Sequence, residues 1–598
     1  MDGFFVFDLS NDLVFKYSNE LMNDKLINIG RKIGIINSEE QRETPISYDE
    51  LIHIFNPLLA NLRFMLIQFD NSFNYVKCKH GFNMVFDDES FGFLLITISD
   101  TKNIEQMQRS QGVYKEFMKH LVGPAVLQFK TDNKSAELLT RLIIKWNEMY
   151  YENIDICLEA IEQLAINNDV RKTSLVSILE QSVDKLKHDH HFQRSHAILF
   201  YENKFLSMFS SRTTHHMLIP ADIFFLNLYC QSIKMSEKIE TTLMFMRGSH
   251  NSCVAYKVIR IAIDDYITLI MLSEFASTVV SSNLYESFLL LNKIKVLQAQ
   301  QDLDSLVIET DKLDKCIKHV IETKKKTKHN SQEMEECVKN YQNKYEIFRK
   351  KYMEMLKLMD KTKLISVESY FPCFMEATKD LYKLTFFTEH SKTISHDQEK
   401  ALLNTAAFAT EKILKVAEFD KIKAKNNLAL NSYLEDFAGL IYFIFVDRQR
   451  GSCIYPDLGR TVAETSPQIR TKVWEMIDTA RNYLQNGQTT VIWKDFAFSY
   501  HYSLWFEDAN GQSLKPKDQS SFAPKQNLVP GIMAHDFYLK LIETLFPKIS
   551  NGLNKIKIFE LFTIHLGLVN PHLQLEHSRR LIATISDEMI SNNLFDLL

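Results

Sequence analysis

Glycine and proline are scarce in this sequence of 598 residues, which contains 16 Gly and 12 Pro against 42 Phe and 23 Tyr. Because glycine and proline concentrate in turns and disordered segments, their scarcity argues against long disordered segments. Hydrophobic residues make up 45% of the chain and charged residues 24%, as in ordinary globular proteins. We therefore expect aromatic-packed sheets and helices, and the length predicts roughly three or four domains rather than one core.

Closely spaced cysteines are also lacking. The chain has eight Cys, none closer than about twenty residues to the next along the sequence. Zinc clusters and redox pairs usually bring two cysteines within a few residues of each other, so neither has local support. Scattered single thiols in a large chain favour a reducing, intracellular compartment.

No strong charge and no long apolar run is present. The net charge is −5 and the pI about 6.5, which gives no overall attraction to nucleic acid or to an anionic membrane. The longest clean apolar run, Phe437–Val446, is half the length needed to cross a bilayer, and Asp8 interrupts the apolar N-terminus. We therefore expect a soluble protein without a signal peptide and without a nucleic-acid partner.

Motifs for catalysis are missing as well: we find no Gly-rich phosphate loop, no Gly-x-Ser-x-Gly and no His-Glu-x-x-His. His188–His191 and His215–His216 are the densest ligand-like clusters, but no Asp, Glu or Cys set stands at metal spacing beside them, which favours a loop or helix end over a metal site. Asp87–Glu89 could be read as an acid pair, although a turn between strands explains it better. We predict no catalytic residue, no metal ligand and no cofactor of the chain's own.

The stretch from Phe437 to Lys515 combines three kinds of element in about eighty residues. An aromatic and β-branched run, the turn sequence Arg448–Ser452 and a second apolar segment predict a β-hairpin. Ser466 followed by proline predicts a helix start, and Gly487 predicts its end. Two or three further strands follow. The pattern indicates an antiparallel sheet with a helix on one face, an α+β module.

The same order of elements occurs at the N-terminus. A hairpin opens the chain, and a polar loop is predicted to run to Thr44. Ser47 and Glu50 form a capping-box pattern at the start of a helix, which Pro57 should kink or shorten. Three strands follow, with Asp87–Ser90 as a turn, and then two helices. We interpret this stretch as another copy of the module.

A further copy is predicted between residues 197 and 272, after a connecting helix of about Ile154 to Lys187. From Leu289 to Leu430 there is almost no strand signal. Apolar residues from Met334 to Met359 recur at alternating spacings of four and three, which predicts a helix with a heptad seam. A partner helix could pack on this seam, but packing on the helix's own module is the plainer interpretation.

Short motifs in the last 160 residues carry a resemblance, together with two segments nearer the start. These segments are Phe445–Gly451, Lys472–Trp474, Ala480–Thr490, Tyr502–Asp508, Val529–Ile532, Ile156–Glu162 and Leu218–Asp222. They are similar to the Hermansky-Pudlak syndrome type 1 family of triple-longin Rab exchange-factor subunits. The resemblance implies an α+β fold with three longin-type domains, each an antiparallel sheet with flanking helices. The implied boundaries are 1–152 for the first domain, 153–190 for the connecting helix, 191–290 for the second domain, 291–430 for a variable helical and charged linker, and 431–598 for the third domain.

The resemblance also implies partners. Proteins of this family form an obligate heterodimer with the Hermansky-Pudlak syndrome type 4 protein, the third complex for biogenesis of lysosome-related organelles. That heterodimer is a guanine-nucleotide exchange factor for Rab GTPases of the Rab-thirty-two and Rab-thirty-eight subgroup. The implied localisation is cytoplasmic, with transient recruitment to endosomal and lysosome-related organelle membranes. GDP, GTP and magnesium would belong to the GTPase, and no covalent chemistry is expected. A non-catalytic longin scaffold or tether in endolysosomal traffic is the alternative.

Site residues follow by analogy with similar pairs, in which the first longin domains form the GTPase platform. On that basis Asp49, Glu50, His53 and Asn56 on the first predicted helix are candidates for GTPase binding. A solvated helix face is the alternative, and the two carboxylates could simply serve the helix N-terminus. Trp474, Trp493 and Trp505 are predicted to be core or partner-interface anchors rather than a ligand cage.

Overall fold

The computed structural model is described here over twenty segments of the chain. They comprise residues 2–37, 46–69, 73–78, 81–90, 92–162, 169–186, 195–211, 218–233, 238–248, 253–274, 278–300, 302–326, 332–358, 370–387, 396–416, 436–456, 466–516, 529–533, 537–547 and 556–591. The predicted histidine clusters at 188–191 and 215–216 lie outside these segments.

The first module is a five-stranded antiparallel sheet with helices on both faces. Its strands are β1 (Asp2–Phe7), β2 (Leu13–Ser18), β3 (Tyr75–Lys77), β4 (Asn83–Ser90) and β5 (Phe93–Ser99), in the spatial order β2-β1-β5-β4-β3. Its helices are α1 (Glu20–Ile33), α2 (Tyr48–Phe69), α3 (Ile104–Val122), α4 (Gln128–Thr131) and α5 (Asn133–Tyr150).

Alternation along β1 explains the two helical layers. Phe5 packs its ring on Phe55 of α2, whereas the neighbouring Phe4 packs on Tyr114 of α3. Successive side chains of a strand point to opposite faces, so a run in which every residue is buried requires cover on both sides. All of Gly3–Phe7 is buried, as this arrangement requires.

Two predictions for this module are wrong. The expected polar loop before Thr44 contains α1, which Asn19 caps by accepting a hydrogen bond from the Met22 backbone N–H. Asp87–Ser90 is part of β4, and the chain turns next to Gly92, whose φ of 82° suits glycine. Helix α2 continues for twelve residues beyond Pro57, so the proline does not shorten it, and a kink there stays a prediction. Pro57 lies on the exposed side, where water can bind the carbonyl that loses its helical partner.

The second sheet repeats the arrangement. Its strands are β7 (Ser195–Tyr201), β8 (Lys204–Ser210), β9 (Ile239–Met246), β10 (Val254–Ala262) and β11 (Ile267–Glu274), in the order β8-β7-β11-β10-β9. Helices α8 (Pro220–Ser232) and α9 (Thr278–Gln300) belong to the same stretch of chain. The prediction of a single connecting helix is wrong. The structure instead has α6 (Ile154–Leu158), the short strand β6 (Ile161–Glu162) and α7 (Asp169–Leu186). Helix α6 ends early because Glu159 adopts a left-handed conformation.

The third sheet has the same core topology with additions. Its strands are β12 (Leu440–Asp447), β13 (Ser452–Ile454), β14 (Thr490–Lys494), β15 (Phe498–Glu507), β16 (Ser513–Leu514) and β17 (Lys557–Leu566). The order is β14-β15-β17-β12-β13-β6, with β16 paired to β15 and β6 parallel to β13. Its helices are α14 (Ser466–Gln485), α15 (Phe537–Leu545) and α16 (Pro571–Ser591). In all three sheets the last long strand lies in the centre, beside the first strand of the opening hairpin.

Along the chain between the second and third sheets, the described segments contain four more helices. They are α10 (Leu303–Lys326), α11 (Gln332–Leu358), α12 (Tyr370–Phe386) and α13 (His396–Val416). Tyr341 and Phe348 of the seam on α11 pack on Phe374 of α12. The buried seam residues are Val338, Tyr341, Tyr345, Phe348, Tyr352 and Met355. The seam is therefore covered by the chain's own helix. The boundaries given above for the domains and for the linker remain predictions.

Contacts divide the chain into two compact units. The first comprises residues 1–140, 242–257 and 274–394, and the second residues 141–241, 258–273 and 395–598.

Candidate functional site

The first turn of α2 holds the residues predicted to bind a GTPase. The Ser47 backbone N–H and hydroxyl both donate to Glu50 Oε2 at 2.9 Å, and the Glu50 N–H donates to Ser47 Oγ at 3.3 Å. This reciprocal pair is the capping box that the sequence predicts. The Glu50 carboxylate is thus engaged in holding the helix start, which makes it a structural residue first.

Asp49, His53 and Asn56 form an exposed stripe on the same helix. They are spaced four and three residues apart, so they fall on one side of α2, and all three are exposed. Leu51, Phe55, Leu59 and Leu62 are buried on the side that faces the sheet. The structure therefore places three of the four candidates together on a polar, accessible surface.

An apolar groove lies along another side of α2. Its volume is about 270 Å³, and its walls come from α1, α2 and strands β3 to β5. Its lining residues are Met22, Lys25, Leu26, Ile29, Ile54, Phe55, Leu58, Val76, Cys78, Phe82, Met84 and Ile98. The first module thus offers both a polar stripe and an apolar concavity on the surface of one helix.

Lys25 is the charged side chain in the lining of the groove. Its ammonium lies 4.4 Å from the centre of the Phe82 ring, close enough for a cation–π contact. Burial raises the pKa of the Cys78 thiol, and the nearby Lys25 charge opposes that rise. The thiol is therefore a packing group at neutral pH rather than an activated nucleophile.

The three tryptophans of the third module do not share one site. Trp493 stands directly opposite Tyr500 on β15 and stacks on its ring at 5.3 Å. Trp505 lies five residues further along β15 and packs on Phe559, 5.6 Å between ring centres. Because side chains alternate along a strand, Trp493 and Trp505 occupy opposite faces of the sheet. A single cage of these residues is therefore excluded.

Trp474 anchors α14 to the chain before the second module. Its indole N–H donates to the Tyr150 carbonyl at 2.9 Å, and the Arg470 guanidinium lies over its ring. All three tryptophans are partly buried by such contacts. A role in binding a partner subunit stays a prediction.

A buried ion pair, which the sequence did not reveal, lies within the second unit. Arg448 donates to Glu560 through Nε at 2.6 Å and Nη2 at 2.5 Å, and Nη1 donates to the Leu158 carbonyl at 2.6 Å. The hydroxyls of Tyr502 and Tyr538 both donate to Glu560 Oε1 at 2.9 Å. All these partners satisfy each other inside the protein, as buried charges require.

Two more polar contacts join residues 157–159 to the third module. Arg481 donates to the Cys157 carbonyl, and the Glu159 carboxylate accepts from the Met533 backbone N–H at 2.7 Å. Residues 150–162 are therefore held by side chains and a backbone N–H of the third module, and β6 extends its sheet. We call this set of contacts the clasp.

The clasp brings together segments that carry the family resemblance but lie far apart in sequence. A signal for it does exist: Glu560 is a lone acid within the apolar strand β17, and Arg448 directly follows the apolar strand β12. An isolated charge in a buried strand usually has a partner. The partner itself could not be found from the sequence.

The described segments contain no group of three or more His, Cys, Asp or Glu residues arranged to hold a metal ion. Among the helices in those segments, none is both long and apolar enough to cross a membrane.

Two family models match the chain. The model for the first longin domain of FUZ, MON1 and HPS1 matches residues 2–152, and the model for the third longin domain matches residues 439–589. The mixed helix and strand content, the antiparallel sheets and these matches define an α+β protein built with longin domains, which confirms the predicted fold class. The chain belongs to the triple-longin family of FUZ, MON1 and HPS1. Longin domains of this family take part in membrane trafficking.

Proposed function

We propose that this chain is a type 1 subunit of a heterodimeric guanine-nucleotide exchange factor. Its partner would be the Hermansky-Pudlak syndrome type 4 protein, and its substrates Rab GTPases of the Rab-thirty-two and Rab-thirty-eight subgroup, in biogenesis of lysosome-related organelles. The supporting observation is the threefold recurrence of one sheet topology in a chain whose two ends match the longin domains of the family. GDP, GTP and magnesium belong to the GTPase in this proposal.

An exchange factor of this kind works by differential binding. It binds the nucleotide-free GTPase more tightly than the loaded one, and by reciprocity it weakens the binding of nucleotide. A weakening of about ten-thousand-fold corresponds to about 5.5 kcal/mol of differential binding free energy. Surface contacts are able to supply that energy, so the proposed activity needs no covalent chemistry.

We assign the GTPase contact to the exposed stripe of α2, with Asp49, His53 and Asn56 as the contacting residues. Glu50 is set apart from them because its carboxylate holds the helix start. The adjacent apolar groove gives the same helix a place for an apolar side chain of the bound protein.

The central experiment measures release of fluorescent GDP from purified Rab proteins of this subgroup. The chain is added alone and together with the type 4 protein, and other Rab proteins serve as specificity controls. Acceleration by the pair supports the proposal. If neither the chain nor the pair accelerates release while the pair still forms, the protein is a scaffold or tether rather than an exchange factor.

A second experiment tests the stripe. Asp49→Lys should slow catalysed GDP release roughly fivefold without dissociating the heterodimer, since exposed charge contacts contribute up to about 1 kcal/mol. Glu105→Lys is a matched control, because Glu105 is an exposed acid at the equivalent position of the first turn of α3. Equal rates for both variants would remove the stripe from the site. Charge reversal at Glu50 is a poor test, because it also breaks the capping box.

A further inference from the structure

Two bulky apolar side chains protrude fully into solvent at one end of the third sheet. Phe496 has 107% and Leu568 has 98% of the reference exposure of its residue type, and the next most exposed large hydrophobic in the described segments reaches only 64%. Phe496 lies in the turn between β14 and β15, and Leu568 in the turn between β17 and α16. We call residues 494–497 and 566–569 the paired turns.

The paired turns are bonded to each other. The Gly567 N–H donates to the Ala497 carbonyl at 2.8 Å, and the Lys494 ammonium donates to the carbonyls of Gly567 and Val569 at 3.2 and 3.3 Å. A Cβ atom at position 567 would come within 2.9 Å of the Ala497 carbonyl oxygen, so glycine permits this close approach. The two apolar tips are thus held side by side.

The turn that carries Phe496 is also braced from within. The Asp495 carboxylate accepts from the backbone N–H groups of Ala497 and Phe498 at 2.9 and 2.8 Å. Its other oxygen accepts from the Tyr500 hydroxyl at 2.7 Å. These bonds fix the turn with its apolar side chain outward. Exposure of that side chain to water is unfavourable, and binding to an apolar surface would remove it from water.

The charges around the tips are arranged for a lipid surface. Asp495 is engaged with Lys472, which lies on α14 and also binds Glu475, so this acid is compensated behind the tips. Lys494 instead donates to carbonyls on both sides of Leu568, which places an ammonium group against the turn that carries Leu568. Two apolar protrusions and one ammonium group in the same pair of turns complement a bilayer interface, where acyl chains lie beneath phosphate groups.

We propose that the paired turns insert Phe496 and Leu568 into the interfacial region of a phospholipid membrane, with Lys494 pairing to a lipid phosphate. The inference rests on the proposed function in one respect: an exchange factor for membrane-bound Rab proteins needs a membrane contact, and the paired turns would supply it. Even a single myristoyl chain, which buries more apolar surface, binds a membrane only marginally and reversibly. Insertion of two side chains should therefore give weak, reversible attachment.

The experiment is flotation of the full chain with phosphatidylcholine vesicles, with and without phosphatidylserine. The double variant Phe496→Ala/Leu568→Ala should reduce vesicle binding at least tenfold, since a fully buried side chain of this size contributes about 1.5–3 kcal/mol. Lys494→Gln should reduce binding two- to fivefold. The matched control Leu21→Ala/Phe69→Ala removes two exposed apolar side chains, 64% and 63% exposed, from the first module and should bind as the unmodified chain does.

Circular dichroism and the unfolding temperature of the double variant should match those of the unmodified chain, because both side chains are exposed. GDP release in solution, without vesicles, should also be unchanged, so failure of the exchange proposal is distinguishable from failure of this one. Unchanged flotation of the double variant, or equal losses in the control, would overturn the inference. So would loss of type 4 partner binding with vesicle binding intact, which would make the paired turns a protein interface.

Discussion

Removal of either member of the buried pair Arg448 and Glu560 should destabilise the second unit severely. Arg448→Met leaves the Glu560 carboxylate buried without its cation, and Glu560→Gln leaves the guanidinium without its anion. Both side chains are at most 3% exposed, so water cannot replace the missing partner. Each single substitution should cost about 3–5 kcal/mol of unfolding free energy, the usual loss when one member of a buried pair is removed.

The two substitutions should not be additive. Arg448→Met/Glu560→Gln removes both charges and leaves no uncompensated ion, so the double variant should lose at least about 2 kcal/mol less than the sum of the single losses. The remaining loss comes from the Leu158 carbonyl, which loses its donor, and from the hydroxyls of Tyr502 and Tyr538, which lose a charged acceptor.

Tryptophan fluorescence during urea unfolding is a suitable assay, because all four Trp residues of the chain lie in the second unit. Hydrogen exchange adds a local measurement. Arg448→Met should increase exchange in residues 156–162, because the bond to Leu158 is lost, whereas Glu560→Gln retains that bond and should affect the segment less. Strict additivity, or a single loss below about 1 kcal/mol, would refute the reasoning.

Two pH-dependent predictions concern buried groups of the same unit. Burial, followed by the charge of Glu162, raises the pKa of Asp155 to about 7. The folded state therefore holds this proton more tightly than the unfolded state, and its contribution to stability falls as pH rises from about 4 to about 7. Asp155→Asn should remove that dependence and stabilise the protein at pH 8 by at most about 4 kcal/mol. Burial, and then the charges of His577 and His501, lowers the pKa of His565 to about 3, so its contribution falls as pH drops below about 6.5. His565→Leu should stabilise the protein at pH 5 by about 2 kcal/mol and leave its stability at pH 8 nearly unchanged. Urea unfolding at pH 5, 6.5 and 8 measures both effects; parallel pH profiles for variant and unmodified chain would contradict them.

Sequence periodicity was a good guide to single elements. The capping box at Ser47 and Glu50 is present, and the heptad seam predicts α11 to within two residues at each end. Such signals succeed because capping and amphipathic packing act between residues three or four positions apart. Helix α1 was missed, although Asn19 is a good cap residue, because its polar segment resembles a loop.

The placement of β17 could not be predicted in the same way. This strand is last in the third sheet along the chain, yet it lies in the centre, between β12 and β15. Its pairing partners are 50 or more residues away in sequence, and local pattern carries no information on such distances. The lone Glu560 indicates a buried partner in that strand without identifying it.

By itself, the sequence determined the α+β class, the repeated order of elements and the family, since these depend on local patterns and short motifs. Only the tertiary structure decided that Trp493 and Trp505 lie on opposite faces of their sheet, and that the clasp joins residues 150–162 to the third module. It also placed Phe496 beside Leu568, 72 positions apart in the chain. The burial of a side chain, the face of the sheet on which it lies and its long-range partners are set when distant segments pack around a common core. They are therefore properties of the folded chain and not of any one stretch of it.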